Sequence, residues 1–110
     1  MGIPADKSAV IDVASGATDT LVAAPDLSQE IIVTGFIMTG DTLATTGVFK
    51  SRSAASVDTD LTGALRTPVN GPLSYGNGEG LIFKTLPGES LVLTAATGAL
   101  TGVLTYTIRP

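Results

Sequence analysis

The chain has no cysteine, no histidine and no tryptophan. Without Cys it can build neither a disulfide framework nor a thiolate metal site. Without His it has no Ser–His or Cys–His nucleophile pair, and it lacks the commonest metal ligand and general base. Charge is also scarce. Asp, Glu, Lys and Arg make up 15% of the residues, against about 25% in ordinary soluble domains. The net charge is −4, and of the six basic residues only Lys50 and Arg52 lie close together. A phosphate-binding surface needs clustered Lys and Arg, so nucleic acid is not expected as a partner. The longest apolar runs, such as Ile31-Ile32-Val33, are far too short to span a bilayer, and no membrane partner is expected. Residues 1–15 lack the charged start and long apolar run of a secretory signal. Synthesis in the cytoplasm follows as the expectation, with any later exit by another route.

What is present reads as β-structure. Leu100 to Arg109 alternates cleanly: Leu100, Gly102, Leu104, Tyr106 and Ile108 fall on one face, and Thr101, Val103, Thr105, Thr107 and Arg109 on the other. That period of two marks a strand with one face in a core. The outer residues are mostly Thr, which suits a pleated surface. Ser90 to Ala96 and Leu81 to Thr85 read as two more strands, separated by the turns Leu86-Pro87-Gly88-Glu89 and Thr97-Gly98-Ala99. Earlier strands are expected over Ser8–Ala14, Thr20–Ala24, Gln29–Gly40 and Thr46–Arg52. Short extended pieces follow near Leu61 or Leu65 and at Leu73–Tyr75. No segment combines helical periodicity with a cap over three turns. Ile32, Phe36 and Met38 share one face of the Gln29–Gly40 strand, and Ile31, Val33 and Ile37 share the other. Gly35 in its middle points to a bulge or a close backbone approach.

About eight short strands with long mid-chain crossings fit an all-β, jelly-roll-like antiparallel sandwich. A seven-stranded immunoglobulin-like sandwich is the alternative. The expected organisation is a flexible leader over residues 1–7 and a single sandwich domain over 8–110. Phe36, Phe83, Leu91, Leu93, Leu104 and Tyr106 are the expected core. Only one face of Gln29–Gly40 is needed for that core, so the stripe Ile31, Val33 and Ile37 is expected at an oligomer interface.

Candidate chemical sites are few. Asp58-x-Asp60-x-Thr62-Gly63 begins like a calcium loop, but the position where that loop needs Glu is Val69. Gly76-x-Gly78-x-Gly80 lacks the Lys-Ser/Thr of a phosphate loop and leads into a strand, not a helix. None of the ten carboxylates forms a recognisable catalytic pair, and five aromatic residues furnish little of a sugar-binding platform. Lys50, Arg52 and Arg66 serve either to meet a partner's acids or to discourage edge pairing. The residues therefore imply no catalytic, cofactor or metal site, and no enzyme.

Three phrases occur together: Asp60-Leu61-Thr62-Gly63-Ala64-Leu65, Pro87-Gly88-Glu89-Ser90-Leu91-Val92-Leu93 and Gly102-Val103-Leu104-Thr105-Tyr106. With them the chain, from about Ser8 onward, resembles the small structural proteins encoded beside the capsid genes of tailed bacteriophages, including head decoration or cement proteins. The resemblance implies a compact sandwich without catalytic residues. It further implies a homotrimer on the outside of the virion capsid that contacts the major capsid protein and stabilises the shell. A phage-surface or tail-associated module that recognises a host glycan or protein is the alternative function.

Overall fold

The computed structural model describes residues 7–41, 45–68, 71–76 and 81–110. Ten strands form two antiparallel sheets: β1 (Lys7–Val13), β2 (Thr18–Val22), β3 (Glu30–Gly40), β4 (Thr46–Arg52), β5 (Asp58–Asp60), β6 (Leu65–Arg66), β7 (Leu73–Gly76), β8 (Phe83–Lys84), β9 (Ser90–Ala96) and β10 (Leu100–Arg109). The first sheet has the order β1-β10-β3-β7, with β8 also on β3. The second has the order β2-β9-β4-β5, with β6 also on β4. Each sheet therefore has four lanes, and the fourth lane of each is split into two short pieces. The expected pieces at Leu73–Tyr75 and Leu81–Thr85 are the two halves of one such lane, β7 and β8, and the single piece expected near Leu61 or Leu65 is two, β5 and β6.

The chain crosses between sheets at every connection except β4–β5, β5–β6 and β7–β8. Three pairs with one strand in each sheet, β1–β2, β3–β4 and β9–β10, build the centre of the fold. The last pair then lies between the other two: β10 pairs with β1 and β3, and β9 pairs with β2 and β4. This is the strand order of a jelly roll, with four lanes facing four. An immunoglobulin sandwich would divide its strands four and three.

The core lies between the sheets. Alternation places Ile11 and Val13 of β1, Phe49 of β4, Leu91, Leu93 and Ala95 of β9, and Leu100 and Leu104 of β10 inside it. Three phenylalanines meet at its centre, with ring centroids 5.1 Å apart for Phe36–Phe49 and 5.0 Å for Phe49–Phe83. Five of the six expected core residues are buried: Phe36, Phe83, Leu91, Leu93 and Leu104. Tyr106 packs against the core but remains half-buried.

The turn Leu86-Pro87-Gly88-Glu89 forms as the residues dictate. Gly88 has φ +73°, and Glu89 N–H donates to the Leu86 carbonyl at 3.2 Å. Proline followed by a positive-φ glycine is the chemistry of a type II turn.

The main departure lies in β3. Thr105 pairs with Gly35, but its neighbour Tyr106 pairs with Val33, so β3 carries one extra residue opposite β10. Thr34 and Gly35 share a single step of the ladder, which is a β-bulge. The alternation slips by one across it. Ile31 and Val33 before the bulge, and Phe36 and Met38 after it, then face the same core. Ile31 and Val33 are both 0% exposed. The interface stripe expected from Ile31, Val33 and Ile37 is thus not a surface. Two of its three residues are core, and only Ile37 faces out.

Candidate interaction surface

The outer face of the first sheet is built in rows by its ladder register. Asp12, Thr101 and Thr39 form the first row. The second is Val10, Val103, Ile37 and Ser74, and the third is Ser8, Thr105, Gly35 and Gly76. Thr107, Ile32 and Lys84 follow, with Thr107 and Ile32 themselves buried, and Arg109 and Glu30 close the face. The second and third rows carry no charge across all four lanes. Among the described residues, charged groups on this face stand only toward the ends: Asp12 at one, and Lys84, Arg109 and Glu30 at the other.

The second row is apolar and open. Val10 is 75% exposed, Ile37 42% and Val103 39%. They are neighbours on three adjacent strands, so they form one stripe across the sheet rather than scattered single residues. Contiguous apolar surface of this kind is uncommon on a soluble monomer and marks interaction sites. Beside the stripe is a shallow depression of about 250 Å³, lined by Gly35, Ile37, Val103, Thr105, Ser74 and Tyr75 among others. It exists because Gly35 and Gly76, paired side by side, carry no side chains. A Cβ on Gly76 would collide with the Thr34 carbonyl, so this close approach also requires glycine. Tyr75, the neighbour of Gly76 on β7, turns the other way and packs its ring against Phe36, with centroids 5.7 Å apart.

A second apolar feature sits at one end of the sandwich. Leu27 and Leu86 are both exposed and belong to two adjoining turns. Gly88 N–H donates to the Gln29 carbonyl at 2.8 Å and ties these turns together. Beneath them, buried Ser51 donates to Glu89 at 2.7 Å and accepts the Leu86 N–H at 3.0 Å. The two turns therefore present their leucines from a fixed base.

The outer face of the second sheet differs. Lys50 stands opposite Asp60, and Arg52 opposite Asp58. Arg52 donates two hydrogen bonds to the Asp58 carboxylate, at 2.7 and 3.0 Å. Those bonds, and then the charges of Arg52 and Lys50, hold the Asp58 carboxyl below the usual carboxylate range. The same pairing raises the Arg52 pKa above its ordinary value.

The start of the calcium-like sequence is therefore a strand, β5, whose first carboxylate is committed to an arginine. The Thr62 hydroxyl accepts the Phe49 N–H at 3.2 Å. Among the described residues no group of three or more acidic, His or Cys side chains is placed to hold a metal ion. Gly76 ends β7 with φ +75°; Val69, Gly78 and Gly80 lie outside the described residues. Arg66 is exposed on β6, apart from the ion-paired Arg52. The stripe of Val10, Val103 and Ile37 escaped sequence reasoning, although Val10 and Val103 each fall at outward positions of alternating strands. Their adjacency depends on the β1–β10–β3 order, which periodicity does not encode.

Comparison with protein-family models, curated proteins and solved structures finds no match to this chain.

Proposed function

We propose that this chain is a structural protein that decorates a bacteriophage capsid, adding itself to the outside of the shell by surface contact and not by chemistry. The observation that carries the reading is the pair of separate apolar surfaces, one on a sheet face and one on the Leu27/Leu86 turns, on a jelly roll with no reactive cluster among its described residues. A cement protein must hold neighbours together, and two apolar surfaces at different places on a small rigid domain suit that task. The virion setting itself comes from the sequence resemblance to head decoration proteins.

The test is to add purified protein to shells that lack it. Shell-bound density in electron micrographs, lost on Leu27→Asp with Leu86→Asp, is the expected result. Failure to bind any shell, with the protein folded, would move the reading to a phage-surface module for a host glycan or protein.

A further inference from the structure

We propose that the outer face of the first sheet docks a second copy of this chain, about a two-fold axis that runs along the strands between β10 and β3. The proposal rests on the structural reading above and names the partner of one of its two surfaces, leaving the Leu27/Leu86 turns for the shell.

Such an axis acts directly on the ladder. It lies in the interface and lays β10 of each copy over β3 of the other, with rows kept in step. Every residue of β10 then faces the cross-strand partner it already has within its own protomer. Val103 pairs with Ile37 and Gly35 with Thr105, while Arg109 pairs with Glu30. Across the axis, Val103 meets the partner copy's Ile37, and apolar surface covers apolar surface. Thr105 meets the depression over the other copy's Gly35, a side chain set against the position that has none. Arg109 meets the other copy's Glu30, cation against anion. Glu30 already holds Lys84 at 3.2 Å. A carboxylate offers about four lone-pair sites, so it can take a second cation.

Between β10 of one copy and β3 of the other, no like charges fall opposite one another. Asp12 lies at the far end from Arg109, in the β1 lane, and comes over the β7 lane of the other copy. The third row, Ser8, Thr105, Gly35 and Gly76, is uncharged and inexpensive to desolvate beside Lys, Glu or Asp. Self-complementarity of this kind is what an isologous contact requires.

The rows are not all four lanes wide, and Thr107 and Ile32 are already buried within the protomer. The remaining positions, at roughly 6.6 Å by 4.8 Å each, give on the order of 450 Å² per copy. Stable protein pairs bury roughly 600–1,000 Å² per partner. The face thus suits a weak, reversible dimer, whose mass depends on concentration.

Light scattering after size exclusion tests this. The wild-type chain is expected to show twice the protomer mass, falling toward one protomer on dilution. Val103→Lys is expected to give the single protomer mass at all concentrations while keeping the β-type circular dichroism of wild type. Its side chain is part-exposed, so the fold tolerates it. A charge-reversal mixture then identifies the partner. Arg109→Glu alone, and Glu30→Arg alone, each set like charges across the axis twice and weaken the dimer. An equimolar mixture restores both pairs, and heterodimers are expected to recover wild-type mass. No contact within a protomer can produce that recovery.

A concentration-independent monomer, a trimer, a dimer that persists in Val103→Lys, or a mixture without recovery would each overturn the proposal. Shell binding by a strictly monomeric wild type refutes the dimer and leaves the capsid reading standing, whereas dimers that never bind shells do the reverse.

Discussion

At Gly102, β10 passes so close to β3 that a Cβ would collide with the Ile37 carbonyl oxygen and lie 2.8 Å from the Met38 Cα. The residue has φ +154°, a region where side chains are rarely accommodated. Both facts follow from one cause: the inner face of β10 gives up its side chain here so that the two central strands of the sheet can approach. Gly102→Ala is expected to destabilise by roughly 2–6 kcal/mol, the sum of about 1–3 for backbone strain and about 1–3 for overpacking. Urea unfolding measures it; an unchanged midpoint would show that β10 can move aside. Gly102 falls on the inner face in the alternating pattern, but its role was not legible there. A glycine in a strand says that backbone is close or bulged, not which neighbour is close. The Asp58 carboxyl carries the opposite lesson. Its lowered pKa means that the Arg52 pair contributes above the carboxyl's unfolded pKa and is lost as pH falls through the folded value. Both partners are solvent-screened, so that contribution is small.

Within elements, clean alternation was read correctly and interrupted alternation was not. The inner side of β10 comes out as the period of two places it, with Leu100 and Leu104 buried and Tyr106 and Ile108 part-buried against the core, while Thr107 on the outer side is buried as well. In β1, Ala9, Ile11 and Val13 likewise turn inward. In β3 the pattern Ile31-Ile32-Val33-Thr34-Gly35-Phe36-Ile37-Met38 is apolar on both faces, so counting alone cannot register a slipped residue. Gly35 signalled the bulge, but only the pairing with Thr105 and Tyr106 shows which residues it turns inward. Thr34 and Thr105 hydroxyls join at 2.9 Å across it, which holds the extra residue at the outer face. The consequence is measurable with two substitutions of identical chemistry. Ile31→Ala is expected to cost about 2–5 kcal/mol, the range for truncating a buried large aliphatic side chain. Ile37→Ala, on the part-exposed side, is expected to cost less than about 1 kcal/mol in the isolated protomer. Denaturant unfolding at protein concentrations too low for association compares them. Equal losses would mean that the faces of β3 are not divided as described.

For the molecule as a whole, the strands and the sandwich were legible, but the order in which they pair was not. Local patterning supplies faces and turns, whereas lane order is set by how the two sheets close over one core. That order puts the last strand in the middle. β10 lies between β1 and β3, and its register runs from Lys7 opposite Tyr106 to Glu30 opposite Arg109. Without β10, β1 has no neighbour within the first sheet, and Leu100 and Leu104 leave a gap in the core. The unpaired edges of β1 and β3 would also expose a full row of backbone donors and acceptors. A chain ending at Ala99 is therefore expected to lose the whole fold and not just one strand. Burial of Leu100 and Leu104 alone is worth about 3–6 kcal/mol at 1.5–3 per side chain. A small domain has only about 5–15 kcal/mol in total. Thermal melting followed by circular dichroism decides it. The truncated chain is expected to show no cooperative transition, while the full chain melts in one step. A cooperative melt in the truncated chain would mean that the second sheet, with β3, can hold a core alone, and that β10 closes the first sheet without organising it.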